Sequence, residues 1–210
     1  MTRAVADRLH YTGIPDADRL LVADPMALLI GFALDQQVPV QKAFSGPMEL
    51  KRRIGTLDPH RIATMDPDEL AAVFRKPPAL HRYPASMAER VRALARHVAD
   101  EYRGDAVRVW TDASDGRDLA RRLAALPGFG EMKVNGMLAV LTKRLGVRPR
   151  GWEDVVPEYP TLGDVDSAEA LEEYQAKKRA YKASLRERGE AFDPGSKKKT
   201  KARKKAPPRS

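Results

Sequence analysis

One stretch constrains the fold more than any other: Leu126-Pro127-Gly128-Phe129-Gly130, followed by Glu131-Met132-Lys133-Val134-Asn135-Gly136-Met137. Upstream, from Asp118 to Leu126, apolar residues recur at helical spacing. Downstream, Met132, Met137, Leu138, Val140 and Leu141 do the same until Gly146 offers a stop. Two helices therefore flank a turn of two glycines and a proline, an αα-hairpin spanning 118–146. Glycine permits positive φ and carries no Cβ, so a ligand can come close to the backbone N–H groups. These lie at the start of the second helix, where free amides and the helix dipole favour an anion such as a phosphate. Pro-Gly alone indicates only a tight connection; Leu-Pro-Gly-x-Gly between two apolar helices is more specific.

The rest of the chain also reads as helical. Asp24-Pro25 supplies an N-cap and a proline at the first helical position. Met26, Leu28, Leu29, Ile30, Phe32 and Leu34 are apolar nearly all round, so this helix is expected to be central and buried. Polar residues follow at Asp35-Gln36-Gln37, and Pro39 forces a break. Val40, Phe44, Met48, Leu50 and Ile54 suggest one or two short helices. Asp58-Pro59, Asp66-Pro67-Asp68-Glu69 and Ser86-Met87-Ala88-Glu89 read as further starts, the last two as capping boxes. Arg75–Pro84, with three prolines, is expected to be an extended basic loop around His81 and Tyr83. Asp166 or Ser167 caps a last helix whose apolar face is Leu171, Tyr174, Tyr181 and Leu185. No strand alternation and no internal repeat is evident. The fold class is mainly α, with residues 1–23 wrapping onto a helical domain of 24–190 and a basic tail of 191–210 expected to be disordered.

Composition limits the chemistry. The absence of cysteine excludes disulfides, thiolate zinc sites, catalytic thiols and a cysteine-ligated iron–sulfur cluster. Four scattered histidines give no metal spacing, so no metal site is expected. No apolar run approaches the roughly 20 residues a membrane span needs, and no signal peptide is evident, so a cytoplasmic protein without a membrane partner is expected. The net charge of +9 suggests nucleic acid, yet residues 195–210 carry eight Lys or Arg and no acid. Charge therefore says little about the folded body, and the hairpin has to carry that argument.

The hairpin and the order of elements resemble the helix-hairpin-helix (HhH-GPD) base-excision DNA glycosylase superfamily over roughly residues 24–155, in a branch without an iron–sulfur cluster. The resemblance implies a two-lobed helical bundle of the endonuclease III-like fold. It implies a partner, double-stranded DNA carrying a damaged base, and a monomer that flips that base and hydrolyses its N-glycosidic bond. The backbone grip falls on Gly128, Phe129, Gly130, Met132 and Lys133, and Gln36 or Gln37 fills the gap left by the flipped base. His81, Tyr83, Trp152 and Phe32 are candidates for the base pocket, His81 foremost. Bifunctional members place a lysine two residues after the second glycine; here that residue is Met132, and Lys133 is turned about 100° away, toward a phosphate or solvent. A monofunctional enzyme is therefore implied. The family's aspartate beyond the hairpin, which stabilises charge at the sugar, has Asp154 as its nearest counterpart, with Glu153 as competitor and Asp164 or Asp166 also open. A monovalent cation held by hairpin carbonyls occurs in the family, and no other cofactor is implied. The alternative is a non-catalytic DNA-binding protein on the same scaffold.

Overall fold

The computed structural model describes residues 5–188. Ten α-helices and two 3-10 turns make up its regular structure, with no strand among the described residues. Residues 189–210, including the basic tail, lie outside the described residues, as do the side chains of Tyr181 and Leu185.

The helices begin largely where short-range chemistry dictates. α1 (Pro15–Ala23) leads into α2 (Pro25–Leu34), whose first amides, Met26 and Ala27, donate to the Asp24 carboxylate. Every residue from Met26 to Leu34 is buried, as an all-round apolar helix requires. α3 (Val40–Ile54) is one continuous helix that tolerates Pro47 in its interior. α2 and α3 approach closely because two glycines lie between them: a Cβ on Gly31 would stand 2.6 Å from the Phe44 ring, and one on Gly46 2.5 Å from Leu34. α4 (Pro59–Thr64) and α5 (Pro67–Arg75) are capped by Asp58 and Asp66.

Three starts differ from the sequence reading. α6 (Pro84–Tyr102) begins two residues before Ser86, because Pro84 fits the first helical position; Tyr83 is its N-cap, and the Ser86–Glu89 box is not used. The connector after Gly104 contains the short α7 (Arg108–Thr111). α8 (Gly116–Ala125) starts before Asp118, whose amide donates to the capping Asp115 carboxylate. α9 (Glu131–Lys143) completes the hairpin. The 3-10 turns Trp152–Asp154 and Leu162–Asp164 precede α10 (Ala168–Glu187). Ser167, not Asp166, caps α10, its hydroxyl accepting from the Ala170 amide.

Two groups of helices share one continuous apolar core. α4 and α5 pack on α6, with α7 and α8 beyond; α1, α2 and α3 pack together, and the second 3-10 turn lies on α9. The N-terminal segment is tied in by Leu9 and Tyr11, both fully buried, and by the Tyr11 hydroxyl, which donates to the Leu162 carbonyl at 2.7 Å. The hairpin and the end of α2 meet between the two groups. There Phe32 packs on Phe44 and Phe129, and against Gly136, where a Cβ would come within 3.2 Å of its ring.

Candidate nucleic-acid interface

The hairpin turn is held open by few bonds. Gly128 has φ +80°, and the Phe129 amide donates to the Leu126 carbonyl. The Phe129 ring points inward and is buried. Lys133 and Val134 donate to the Gly130 carbonyl, starting α9. The Gly130 carbonyl therefore has both lone pairs engaged, whereas the Leu126 carbonyl accepts from Phe129 alone. The amides of Gly130, Glu131 and Met132 have no acceptor among the described residues, and no side chain caps them. Gly130 has an ordinary φ of −79°, and a Cβ there would meet nothing within 4 Å. Neither strain nor crowding calls for a glycine at 130. What its missing Cβ leaves clear is access to three free donors at a helix start, the electrostatics that suit a phosphate.

Lys133 does not face that anion site or solvent. Its Nζ donates to the Ala33 carbonyl at 2.8 Å, at the C-terminal end of α2, with the Phe129 ring 5.9 Å away. The 100° turn from Met132 carries Lys133 to the α2 side of the helix, where an ammonium complements exposed carbonyls. Burial, reinforced by the Arg90 guanidinium, brings its pKa down to about 8, against the pull of Asp35. In the unfolded chain the amine keeps its proton to about 10.4. Between about pH 8 and pH 10 the unfolded state thus binds more protons, and stability rises with pH. Lys133→Met is expected to flatten that rise in thermal melts taken from pH 7 to 10. A rise that survives the substitution contradicts the buried amine.

Beyond α2 the chain turns through Gln36 and Gln37. Gln36 is half-buried and its side-chain oxygen accepts from Arg90 Nη1. Gln37 is exposed, with φ +56°, a left-handed conformation that costs a non-glycine residue roughly 1–3 kcal/mol. Its side-chain oxygen accepts from the Tyr83 hydroxyl at 3.2 Å. His81 is buried and does not line an open pocket. Its Nδ1 accepts from the Tyr83 amide, so Nε2 carries the proton and donates to the Gln36 carbonyl at 3.0 Å. Burial lowers its pKa, which keeps the ring neutral in this role. The proline-rich loop is fastened from below by Arg53, which donates to the carbonyls of Val73, Lys76 and Pro78. Tyr83 itself stays exposed, with the Arg82 guanidinium 4.9 Å from its ring centroid.

Other sequence candidates fall elsewhere. Phe32 is core. Trp152, Glu153 and Asp154 sit against the first turn of α8: Gly116 donates to the Arg150 carbonyl, and a Cβ on Gly116 would stand 2.6 Å from the Gly151 oxygen. α8 has ten residues, so about 15 Å of helix separates that turn from the hairpin. The structure does not bring these three together with Gln37 or Gly130. Asp164 is committed to structure, accepting from the Thr161 amide and hydroxyl and pairing with Lys143 at 2.7 Å. Asp166 follows directly, exposed, between buried Val165 and the capping Ser167.

Sequence reasoning singles out Met132 for the backbone grip but misses the strip that it begins along α9 with Asn135 and Tyr159. Met132 and Asn135, three residues apart, share a face. Met132 is exposed beside the hairpin, and Asn135 Nδ2 donates to the Tyr159 hydroxyl at 3.0 Å. One turn on, Gly163 presses on the Ala139 backbone, where a Cβ would come within 2.5 Å. Tyr174 of α10 lies alongside, its hydroxyl kept neutral by burial and by Asp35, Tyr159 and Asp164.

An all-helical body whose glycine turn offers free amides beside an exposed glutamine turn defines a helix-hairpin-helix DNA-binding protein. The chain belongs to the HhH-GPD superfamily of base excision DNA repair proteins, whose pattern it matches over residues 30–194. Membership implies a base-excision-repair function of the DNA glycosylase type and binding to DNA. Comparison with curated proteins and with solved structures gives no match. No helix among the described residues is long and apolar enough to cross a membrane.

Proposed function

We propose that the protein is a monofunctional DNA N-glycosylase. It acts as a monomer on double-stranded DNA, extrudes a damaged base and hydrolyses its bond to deoxyribose with water. The observation that carries this reading is the pairing of two unlike features at the meeting of the helix groups. One is a set of free amides at Gly130–Met132, fit to hold a backbone phosphate. The other is Gln37, exposed in a left-handed backbone and bonded to Tyr83, fit to enter the space a flipped base vacates.

The strip of Met132, Asn135 and Tyr159 serves as the wall of the base pocket. A phenol ring offers a stacking face and an amide offers both donor and acceptor to a base edge. Asp166 is the carboxylate assigned to the sugar. It is exposed and stands two residues beyond the 3-10 turn that packs on α9. Asp154 is its rival. The single-function reading rests on Met132, which has no amine, and on Lys133, whose amine is occupied at Ala33.

The test incubates the protein with lesion-bearing duplexes and treats parallel samples with alkali or borohydride. Strand breaks that appear only after alkali, with no protein–DNA adduct trapped by borohydride, are expected. A trapped adduct contradicts the monofunctional assignment.

A further inference from the structure

Arg90 joins the two halves of the interface. It leaves α6, passes beneath the hairpin and ends at the glutamine turn. A Cβ on Gly128 would stand 2.7 Å from Arg90 Cδ and 3.0 Å from its Nε, so the absence of a side chain at 128 is what lets the arginine pass. At the far end Nη1 donates to the Gln36 side-chain oxygen. A guanidinium has five N–H donors, and that bond uses one of them. Arg90 makes no ion pair among the described residues. Its charge also bears on Lys133, so two cations lie close together under the hairpin with Asp35 as the neighbouring acid. Like charges so placed repel, and an anion bound at the turn would relieve them.

We infer that Arg90 is a positioning residue that couples the phosphate grip to the glutamine turn: its free donors reach the phosphate held at the Gly130–Met132 amides while Nη1 keeps Gln36 packed inward. Gln37 is then the glutamine presented to the duplex, and it is presented in register with the gripped phosphate. This inference rests on the DNA-binding reading above. It adds a charged donor to a site that otherwise has only backbone amides. It also explains why the first glutamine is half-buried and the second exposed.

The test uses the full chain and a duplex with a tetrahydrofuran abasic analogue opposite 2-aminopurine. Affinity is measured by anisotropy across a salt series, and 2-aminopurine fluorescence is read at saturating protein. Arg90→Met keeps a stem against Gly128 but removes every donor. It is expected to reduce the salt slope by about one and to cut the saturated fluorescence change at least by about half. Arg90→Lys restores the slope, as a point charge can, without restoring the fluorescence, because it lacks the fork. Gln36→Ala lowers the fluorescence change and leaves the slope alone. If either the slope or the fluorescence is unchanged in Arg90→Met, the coupling is overturned. Failure of the wild type to bind any duplex would instead remove the DNA-binding reading itself, and the inference with it.

Discussion

Replacing Asp166 with Asn is expected to slow base release by about 10²-fold or more and to leave duplex affinity within about twofold. The carboxylate would stabilise positive charge as the glycosidic bond breaks and help to orient the attacking water. Asparagine has the same shape but neither the charge nor the basicity. Thermal melts of the variant report what the Asp166 carboxylate itself contributes to a segment that other groups also hold. Val165 is buried, Ser167 caps α10, and the preceding turn is held by Thr161, Asp164 and Lys143. Single-turnover release by the variant, with anisotropy on the same duplex, separates chemistry from binding. Asp154→Asn run beside it should retain activity, since Asp154 stands at the far end of α8. If Asp154→Asn is the variant that loses release, the carboxylate assignment moves to the 152–154 turn.

The second large effect is on binding. Gly130→Ala is expected to weaken affinity for every duplex by about 1.5–3 kcal/mol, roughly ten- to a hundredfold. Alanine accepts a φ of −79° and its methyl meets nothing in the folded chain, so the melting temperature should hardly change. The methyl instead occupies the approach to the free amides. Gly128→Ala should behave differently. Its φ of +80° strains an alanine, and the new methyl collides with Arg90, so both stability and binding should fall. Calorimetry and anisotropy on the two variants check this contrast. Unchanged affinity in Gly130→Ala would contradict the phosphate cradle.

Local chemistry was readable from residue order, and long-range chemistry was not. The caps at Asp24, Asp58 and Asp66 involve amides two or three residues away, so their spacing gave them away. The hairpin was legible for the same reason. His81 was not, because its partner at Gln36 lies 45 residues earlier and turns an apparent pocket residue into a buried strut. Helix geometry turns Lys133 away from Met132, but the sequence points it to a phosphate or solvent, because its actual partner depends on where α2 ends, 100 residues earlier in the chain. Arg90 looks like any charged residue on an amphipathic helix. Only its passage beneath Gly128 marks it. The Asn135–Tyr159 bond joins a helix to an irregular stretch that no periodicity describes. Asp166 and Ser167 are both legible as caps, and the structure gives the cap to Ser167.

The most direct test of the account is detection of free base. Duplexes carrying alkylated, oxidised or deaminated bases would be incubated with the wild-type protein, and the released bases separated by chromatography. The account predicts release from one lesion class, with the DNA strand left intact and an abasic site in it. Tight binding to every duplex with no base released from any would contradict it, and would leave the protein a DNA-binding scaffold without the chemistry.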